Sequence, residues 1–441
     1  MQTIGSTVKS PTNTRFFLAF QSARDVIPAP VLPDPAVYFE MDGTAADVGR
    51  NVELERTRTM RSGREEGKPL RGAINAPQSL TDLVDKRFIG VHLGALLGSP
   101  VSTDANATGF LMFERQPAAG ETIVINDVVW TFVDVAQVAY ESAIGETLGA
   151  TVIALAAALN ASADADIAEA TYLASGHRLI VTADASGAAG NDITLGAGTA
   201  GGYASGATLA GGGLRKHVFR SGAAALPMLS LVTDQTDMTD GPRFKAVKNL
   251  RYGGMQMDLR DSGAASITFT AIGTDEVTLD ADPVADHTVP LKIERYSHIQ
   301  GGILVDDGCV KGVIEGGGIS YSNGLATDRT LGCPGSPSAG TIHDALPGDV
   351  ECSVNVNARY YAAGVTGKAE AGETVKIVYQ FVDPADGSTL TFTFAQVTLP
   401  ETTRGYNLGS AGITQNFNGV CSKPPGGWAM VVELVNDRQD Y

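Results

Sequence analysis

The chain has 441 residues, 43% of them hydrophobic and 18% charged, which excludes a disordered polymer and allows two or three domains with real cores. A formal charge of -17 excludes global attraction to nucleic acid or anionic lipid and suits a surface that must not stick to DNA. Fifty-two glycines against two tryptophans favour short strands and tight turns over long helices.

Residues 1–50 read as an extended arm. Phe16–Phe20 has strand character, and Pro28, Pro30, Pro33 and Pro35 then forbid regular structure. The arm carries too little apolar surface to fold alone, so it is expected to order on assembly. Leu54–Met60 alternates like a strand. Six cations follow (Arg56, Arg58, Arg61, Arg64, Lys68 and Arg71), offset locally by Glu65 and Glu66. They read either as an inter-subunit salt-bridge loop or as a solvated mixed-charge loop. Ser79 resembles an N-cap, with Asp82 three residues on, and Leu80, Leu83, Val84 and Val91 follow helical spacing. The spacing predicts a helix over 80–97, broken or frayed around Gly90 and Gly94.

Composition shifts near residue 108 and shifts back near 214. Between these points, Thr122–Ile125 and Val128–Val133 flank Asn126-Asp127, a two-residue hairpin turn. A helix is expected over 147–160, with Leu148, Val152, Leu155 and Leu159 on one face. Arg178–Thr182 and Asp192–Leu195 read as strands, and Gly211-Gly-Gly213 as a hinge. Residues 108–214 are therefore expected to be a small α+β domain inserted at an exposed loop of its host.

Beyond it, Lys216–Phe219, Leu229–Thr233 and Ser266–Ile272 read as strands, and 274–288 as a connection. Val247-Lys248, four residues and Gly253-Gly254 recur as Val310-Lys311, four residues and Gly316-Gly317, each leading into alternation. That recurrence suggests one β unit used twice. Glu351–Tyr361, Thr374–Val382, Thr389–Leu399, Ile413–Phe417 and Trp428–Leu434 supply the last strands, with Pro384 to Gly387 as a turn. The fold class is mainly β with a short helix, a duplicated β unit and an inserted α+β domain. The expected units are 51–107 with 215–273, and 289–441.

The search for chemistry ends without a catalytic motif, and no enzyme, metal or cofactor is expected. Gly63 to Pro69 falls one residue short of a phosphate loop and has proline where Ser or Thr must hold a metal. The six histidines show neither HExxH nor an i,i+4 pair. Asp280, Asp282 and Asp286 read as a plain acidic loop interrupted by Pro283, not a calcium site. Cys309, Cys333, Cys352 and Cys421 lack CxxC spacing and are expected as reduced thiols. Phe16–Phe20 is too short for a signal core, and Val152–Leu159 is far short of a membrane span.

Several stretches resemble the major tail tube proteins of long-tailed, non-contractile bacteriophages in a larger, two-unit form. The carriers are Glu53–Arg61, Leu80–Gly98, His217-Val-Phe-Arg-Ser-Gly222 with Leu226-Pro227, Phe244–Gly273, Ile319–Leu325, Val350–Tyr360 and Leu390–Pro400. The insertion separately resembles a module of phage virion proteins, from Gly120-Glu-Thr-Ile to Asn191-Asp-Ile-Thr-Leu195. The resemblance implies β-sandwich or barrel tube domains whose sheets join around a ring. It implies trimeric, pseudo-sixfold rings, with hexamers as the alternative, stacked into a conduit for double-stranded DNA. Tail terminator, distal tail and tape-measure proteins are the implied partners, and the virion tail, assembled in the host cytoplasm, the implied location. The net charge suggests an acidic lumen, and the six cations a contact between rings. A virion adhesin or carbohydrate-binding tail protein, with the insertion as reader, is the competing expectation.

Overall fold

The computed structural model describes residues 13–28, 38–56, 68–238, 243–260, 262–284, 288–306, 314–329, 340–359, 365–406 and 413–441. Its organising element is an antiparallel run of seven strands. In spatial order these are Gly43–Asp47, Leu70–Leu83, Ser266–Gly273, Phe244–Leu259, Ile314–Ser322, Glu351–Arg359 and Thr414–Cys421. The strands form because their sequences alternate, placing successive side chains on opposite faces. In Glu351–Arg359, Cys352, Val354, Val356 and Ala358 are buried; in Thr414–Cys421, Gln415, Phe417 and Gly419 are buried while Asn416 and Asn418 are exposed.

A second antiparallel sheet runs Gly301–Val305, Thr374–Val382, Thr389–Thr398, Val431–Asn436, Arg215–Arg220, Val101–Asp104. One buried cluster joins the sheets, with Met255, Phe269 and Val354 from the first and Tyr379, Phe392 and Val432 from the second. The Tyr379 hydroxyl crosses to donate to the Gly318 carbonyl at 3.0 Å and to the Asn355 carbonyl. This crossing explains Gly317. A Cβ there would stand 2.2 Å from the Asn355 oxygen and 2.8 Å from Tyr379 Oη.

The expected N-terminal arm is partly integrated into the body. Thr14–Phe20 pairs along its length with Leu229–Gln235 and also with Phe39–Met41. Phe17, Leu18 and Ala19 are buried, so this piece has the apolar surface that the arm as a whole lacks. The connection expected at 274–288 contains a strand as well, Asp275–Leu279, paired with Phe244–Lys248. Strand Phe244–Leu259 therefore serves two neighbourhoods, the first half of it packing near the N-terminal strand and the second half in the seven-strand sheet.

The helix expected over 80–97 is corrected. Leu70–Leu83 is a strand, and helix α1 spans only Phe88–Leu97. Ser79 lies opposite Thr270 on one side and Asp47 on the other, so pairing on both edges overrides its capping propensity. The N–H groups of Arg87 and Phe88 donate instead to Asp85 Oδ1, at 2.8 and 2.7 Å. Helix α1 runs unbroken through Gly90 and Gly94. A Cβ on Gly90 would lie 2.2 Å from the ring of Tyr441, the C-terminal residue that docks against it.

Asp85, Lys86 and Arg87 tie the start of α1 to the last third of the chain. Lys86 Nζ lies 2.6 Å from Asp383 and 2.7 Å from Asp386, in the turn between two strands of the second sheet. Arg87 grips both oxygens of Asp437 at 2.6 and 2.7 Å and meets Glu294 at 3.1 Å. Asp85 Oδ2 accepts from the Glu294 N–H at 2.6 Å. Burial raises the Asp85 carboxyl above its ordinary pKa despite these donated bonds.

The inserted segment leaves after Val101–Asp104 and returns at Arg215–Arg220, two strands that pair with Asp104 opposite Arg215. Its entry and exit are thus neighbours, clipped by an Arg215–Asp104 ion pair at 2.6 Å. It holds two four-stranded sheets and a core of its own, including Trp130, Phe132, Leu155 and Leu179. Asn126 and Asp127 both take positive φ (48° and 63°), the geometry of the expected tight turn. Helix α2, Leu148–Asn160, begins at Thr147, whose side chain accepts from Ala150 N–H. The strand expected at Asp192–Leu195 is shifted: Ala188–Asp192 is a short 3-10 turn, Thr194 bridges Thr208, and Leu195–Gly196 pairs with Val124 and Ile125.

Candidate functional site

The seven-strand sheet buries one face and leaves the other open. The open face carries hydroxyls and amides: Gln256, Thr268, Thr270, Ser320, Asn355 and Asn416 point there by alternation. Several are bonded across strands. Thr81 and Thr268 hydroxyls lie 2.9 Å apart, and Asn355 Nδ2 donates to Asn418 Oδ1 at 2.7 Å. Charges on this face are sparse and partly paired, as in Arg359 with Glu315 at 2.7 Å and Arg260 with Asp258 at 3.4 Å. It is a wide polar surface of hydroxyls and amides on which the carboxylates Asp47, Asp258, Glu315 and Glu351 outnumber the cations Arg260 and Arg359.

The sheet also has a repeating order. Gly43–Asp47, Leu70–Leu83 and Ser266–Gly273 form one block, and Ile314–Ser322, Glu351–Arg359 and Thr414–Cys421 the next. Because every pairing is antiparallel, corresponding strands of the blocks run the same way. In each block the middle strand is followed in sequence by a helix, α1 after Leu70–Leu83 and α3 (Val365–Ala371) after Glu351–Arg359. The cross-strand polar pairs correspond too: Thr81 with Thr268 in one block, Asn355 with Asn418 in the other. Phe244–Leu259 lies outside Ser266–Gly273, and an antiparallel bridge from Gly405 to Thr414 begins the same arrangement outside Thr414–Cys421.

The paired-glycine motif does not mark this repeat. Gly254 pairs with Ser322 and Leu259 with Gly317, so its two copies are antiparallel neighbours related by a local twofold. Successive units around a ring keep their strand direction, which a twofold across the sheet reverses. Val310 and Lys311 of the second copy lie outside the described residues.

Of the six cations singled out in the sequence, Arg58, Arg61 and Arg64 lie outside the described residues. Arg56 and Lys68 are exposed at the end of a hairpin in which Asn51–Glu55 pairs with the start of Leu70–Leu83, Arg71 opposite Leu54. The strand expected at Leu54–Met60 is described only as Asn51–Glu55. Leu54 and Leu70 on this hairpin are 66% and 59% exposed, unusual for leucines in a paired strand.

The sequence reading missed two polar constellations. One is the ion-pair group around Lys86 and Arg87, whose only sequence signal is three consecutive charged residues before an apolar helix. The other is His92, with Nδ1 2.9 Å from Tyr252 Oη and Nε2 3.3 Å from Asp82 Oδ2, stacked on Phe269 at 4.4 Å. A histidine between carboxylate and hydroxyl resembles the machinery of acyl transfer. Tyr252 is wholly buried, however, and burial drives its hydroxyl pKa well upward, so no substrate meets it. This trio fastens α1 to the sheet.

Among the described residues no group of three or more His, Cys, Asp or Glu is arranged to hold a metal. Asp286 of the acidic loop lies outside them. No described helix is long and apolar enough to cross a membrane. The insertion bears a cleft of about 550 Å³ lined by Trp130, Tyr140, Glu141 and Asp164 among others, with the Tyr140 hydroxyl donating to Asp164 at 2.7 Å.

A family model described as phage tail tube protein matches residues 11–421. No curated protein matches the chain.

Proposed function

The chain belongs to the phage tail tube protein family, a structural component of the virion tail, and from that premise we propose that the open face of its seven-strand sheet lines the bore. The observation that carries this reading is the pair of like-directed strand blocks on one continuous sheet. Two blocks per chain fit a ring of three copies with pseudo-sixfold symmetry, hexamers being the alternative.

Within the chain, Phe244–Leu259 meets Ile314–Ser322 where the first block gives way to the second. The equivalent seam between copies joins the edge beside Thr414, begun by the Gly405 bridge, to Gly43–Asp47 of the next subunit. Among the described residues, Gly43–Asp47 has a strand partner on one edge only, and such edges invite pairing. Ring closure removes them. Rings then stack, with the six cations of the stretch 56–71 (Arg56, Arg58, Arg61, Arg64, Lys68 and Arg71) as the contact between them and the exposed Leu54 and Leu70 covered there.

Double-stranded DNA passes through the bore during ejection without adsorbing. The sequence suggested an acidic lining, and the excess of carboxylates over cations on the face proposed here supports that reading. The face's carboxylates repel phosphates, and its cations Arg359 and Arg260 already pair with Glu315 and Asp258, so DNA gains little by adsorbing. Residues 108–214 project outward as a decoration dispensable for assembly. Tail terminator, distal tail and tape-measure proteins cap and fill the tube, and assembly takes place in the host cytoplasm.

Electron microscopy of the purified protein tests the reading. Tubes with an axial channel and three subunits per ring are expected; a protein that stays monomeric at high concentration overturns it.

A further inference from the structure

We propose that Cys352 and Cys421 are a disulfide-forming pair that staples the outer strand of the sheet once the protein leaves a reducing environment. Ser353 pairs with Val420 in the antiparallel ladder between Glu351–Arg359 and Thr414–Cys421, which makes Cys352 and Cys421 the next opposed positions. Directly opposed residues in such a ladder have Cα atoms about 4.5–5.5 Å apart, inside the range of about 4.4–6.8 Å that a disulfide needs. Both thiols are free, and Cys421 lies close enough to Cys352 to be the main influence on its titration.

The two sulfurs differ in access. Cys352 is 7% exposed, and contact with Cys421 and burial both push its thiol pKa up. Cys421 is only partly buried, at the end of its strand. Cys421 is thus the sulfur that an incoming reagent meets, and Cys352 the one that resolves. With a small disulfide such as oxidised glutathione as electron acceptor, the Cys421 thiolate attacks one glutathione sulfur and expels the other as thiolate. The Cys352 sulfur, losing its proton, then attacks Cys421, breaking the mixed disulfide and releasing the second glutathione. Two protein thiols and one glutathione disulfide become one protein disulfide and two glutathione thiols, so atoms and electrons balance.

The bond lies where it does mechanical work. Cys352 is paired on its other side with Tyr321, and Cys421 with Val397 of the second sheet. A link there welds the corner at which the two sheets meet. It closes a loop of roughly 70 residues, long enough for a large entropic constraint on the unfolded chain. The timing fits a protein assembled inside a cell and used outside one, where disulfides persist; only this last point rests on the tail-tube reading.

The test uses the full chain, soluble and assembled, treated with oxidised glutathione. Expected are a mass loss of about 2 Da, a Cys352–Cys421 cross-linked peptide in a non-reducing digest, and a melting midpoint raised by several degrees, all reversed by dithiothreitol. Cys352→Ser and Cys421→Ser should each abolish the rise. Stable glutathione adducts on Cys421, cross-links to Cys309 or Cys333 instead, or an unchanged midpoint would each overturn the proposal. Because the readouts are taken on soluble protein as well, failure to form tubes would bear on the function and not on this pair.

Discussion

Replacing Lys86 with methionine tests whether the ion pairs at the start of α1 hold the two halves of the chain together. The Lys86 side chain is 7% exposed, against 16% for Asp383 and 39% for Asp386. Burial works against the ammonium, but the hydrogen bonds it donates to Asp383 and Asp386 outweigh that, and its pKa sits above the ordinary value. Burial likewise opposes the Asp383 charge and is outweighed by Lys86, leaving that carboxyl below the usual 3.8. Removing one partner of a fully buried pair costs about 3–5 kcal/mol. Asp386 is wet enough to recover hydration, so the expected loss here is about 2 kcal/mol, discounted for that screening.

The assay is denaturant unfolding of soluble protein at pH 7, followed at lower pH. A carboxylate depressed in the folded state contributes stability above its unfolded pKa and loses it as pH falls through the lower, folded value. The gap between wild type and Lys86→Met should therefore be full at pH 7 and narrow below about pH 4. Adding Asp383→Asn and Asp386→Asn should restore much of the loss, since no uncompensated charge then remains. A Lys86→Met protein as stable as wild type at pH 7 would refute the reasoning, as would a gap that does not change with acid.

Phe269, fully buried and stacked on His92, should lose about 3–5 kcal/mol on truncation to alanine, measured in the same unfolding experiment. Tyr252→Phe should cost less, about 1–3 kcal/mol, because it strands His92 Nδ1 without opening a cavity. Joining Asp104 to Arg215 through an Asn-Gly turn should give a chain lacking the insertion that still folds and still forms tubes, since those residues already face each other; an aggregated product would count against it. Gln256→Lys, Thr270→Lys and Asn416→Lys lie on the exposed side of the sheet, so stability should stay within about 0.5 kcal/mol. Particles carrying all three should retain DNA on triggered ejection in low salt and release it in high salt; unimpaired ejection in low salt would separate this face from the bore.

The sequence by itself determined the elements in which local pattern and environment agree. Alternation places Glu351–Arg359 and Thr374–Val382 as strands, Asn126 and Asp127 are residue types that tolerate the positive φ of a tight turn, and Thr147 caps α2 through its own side chain. These depend on neighbours a few residues away, so a linear reading finds them. Tertiary structure decided the rest. Ser79 to Leu83 carries a cap-like and helical spacing but is a strand because Ser266–Gly273 and Gly43–Asp47 satisfy its backbone from both sides. Lys86 and Arg87 gain meaning from carboxylates some 200 to 350 positions away, and the two paired-glycine motifs from the antiparallel register that sets them side by side. Pairing partners, sheet edges and the open face arise from contacts between residues remote in sequence, and hydrophobic periodicity carries no information about which remote strand a given strand will choose.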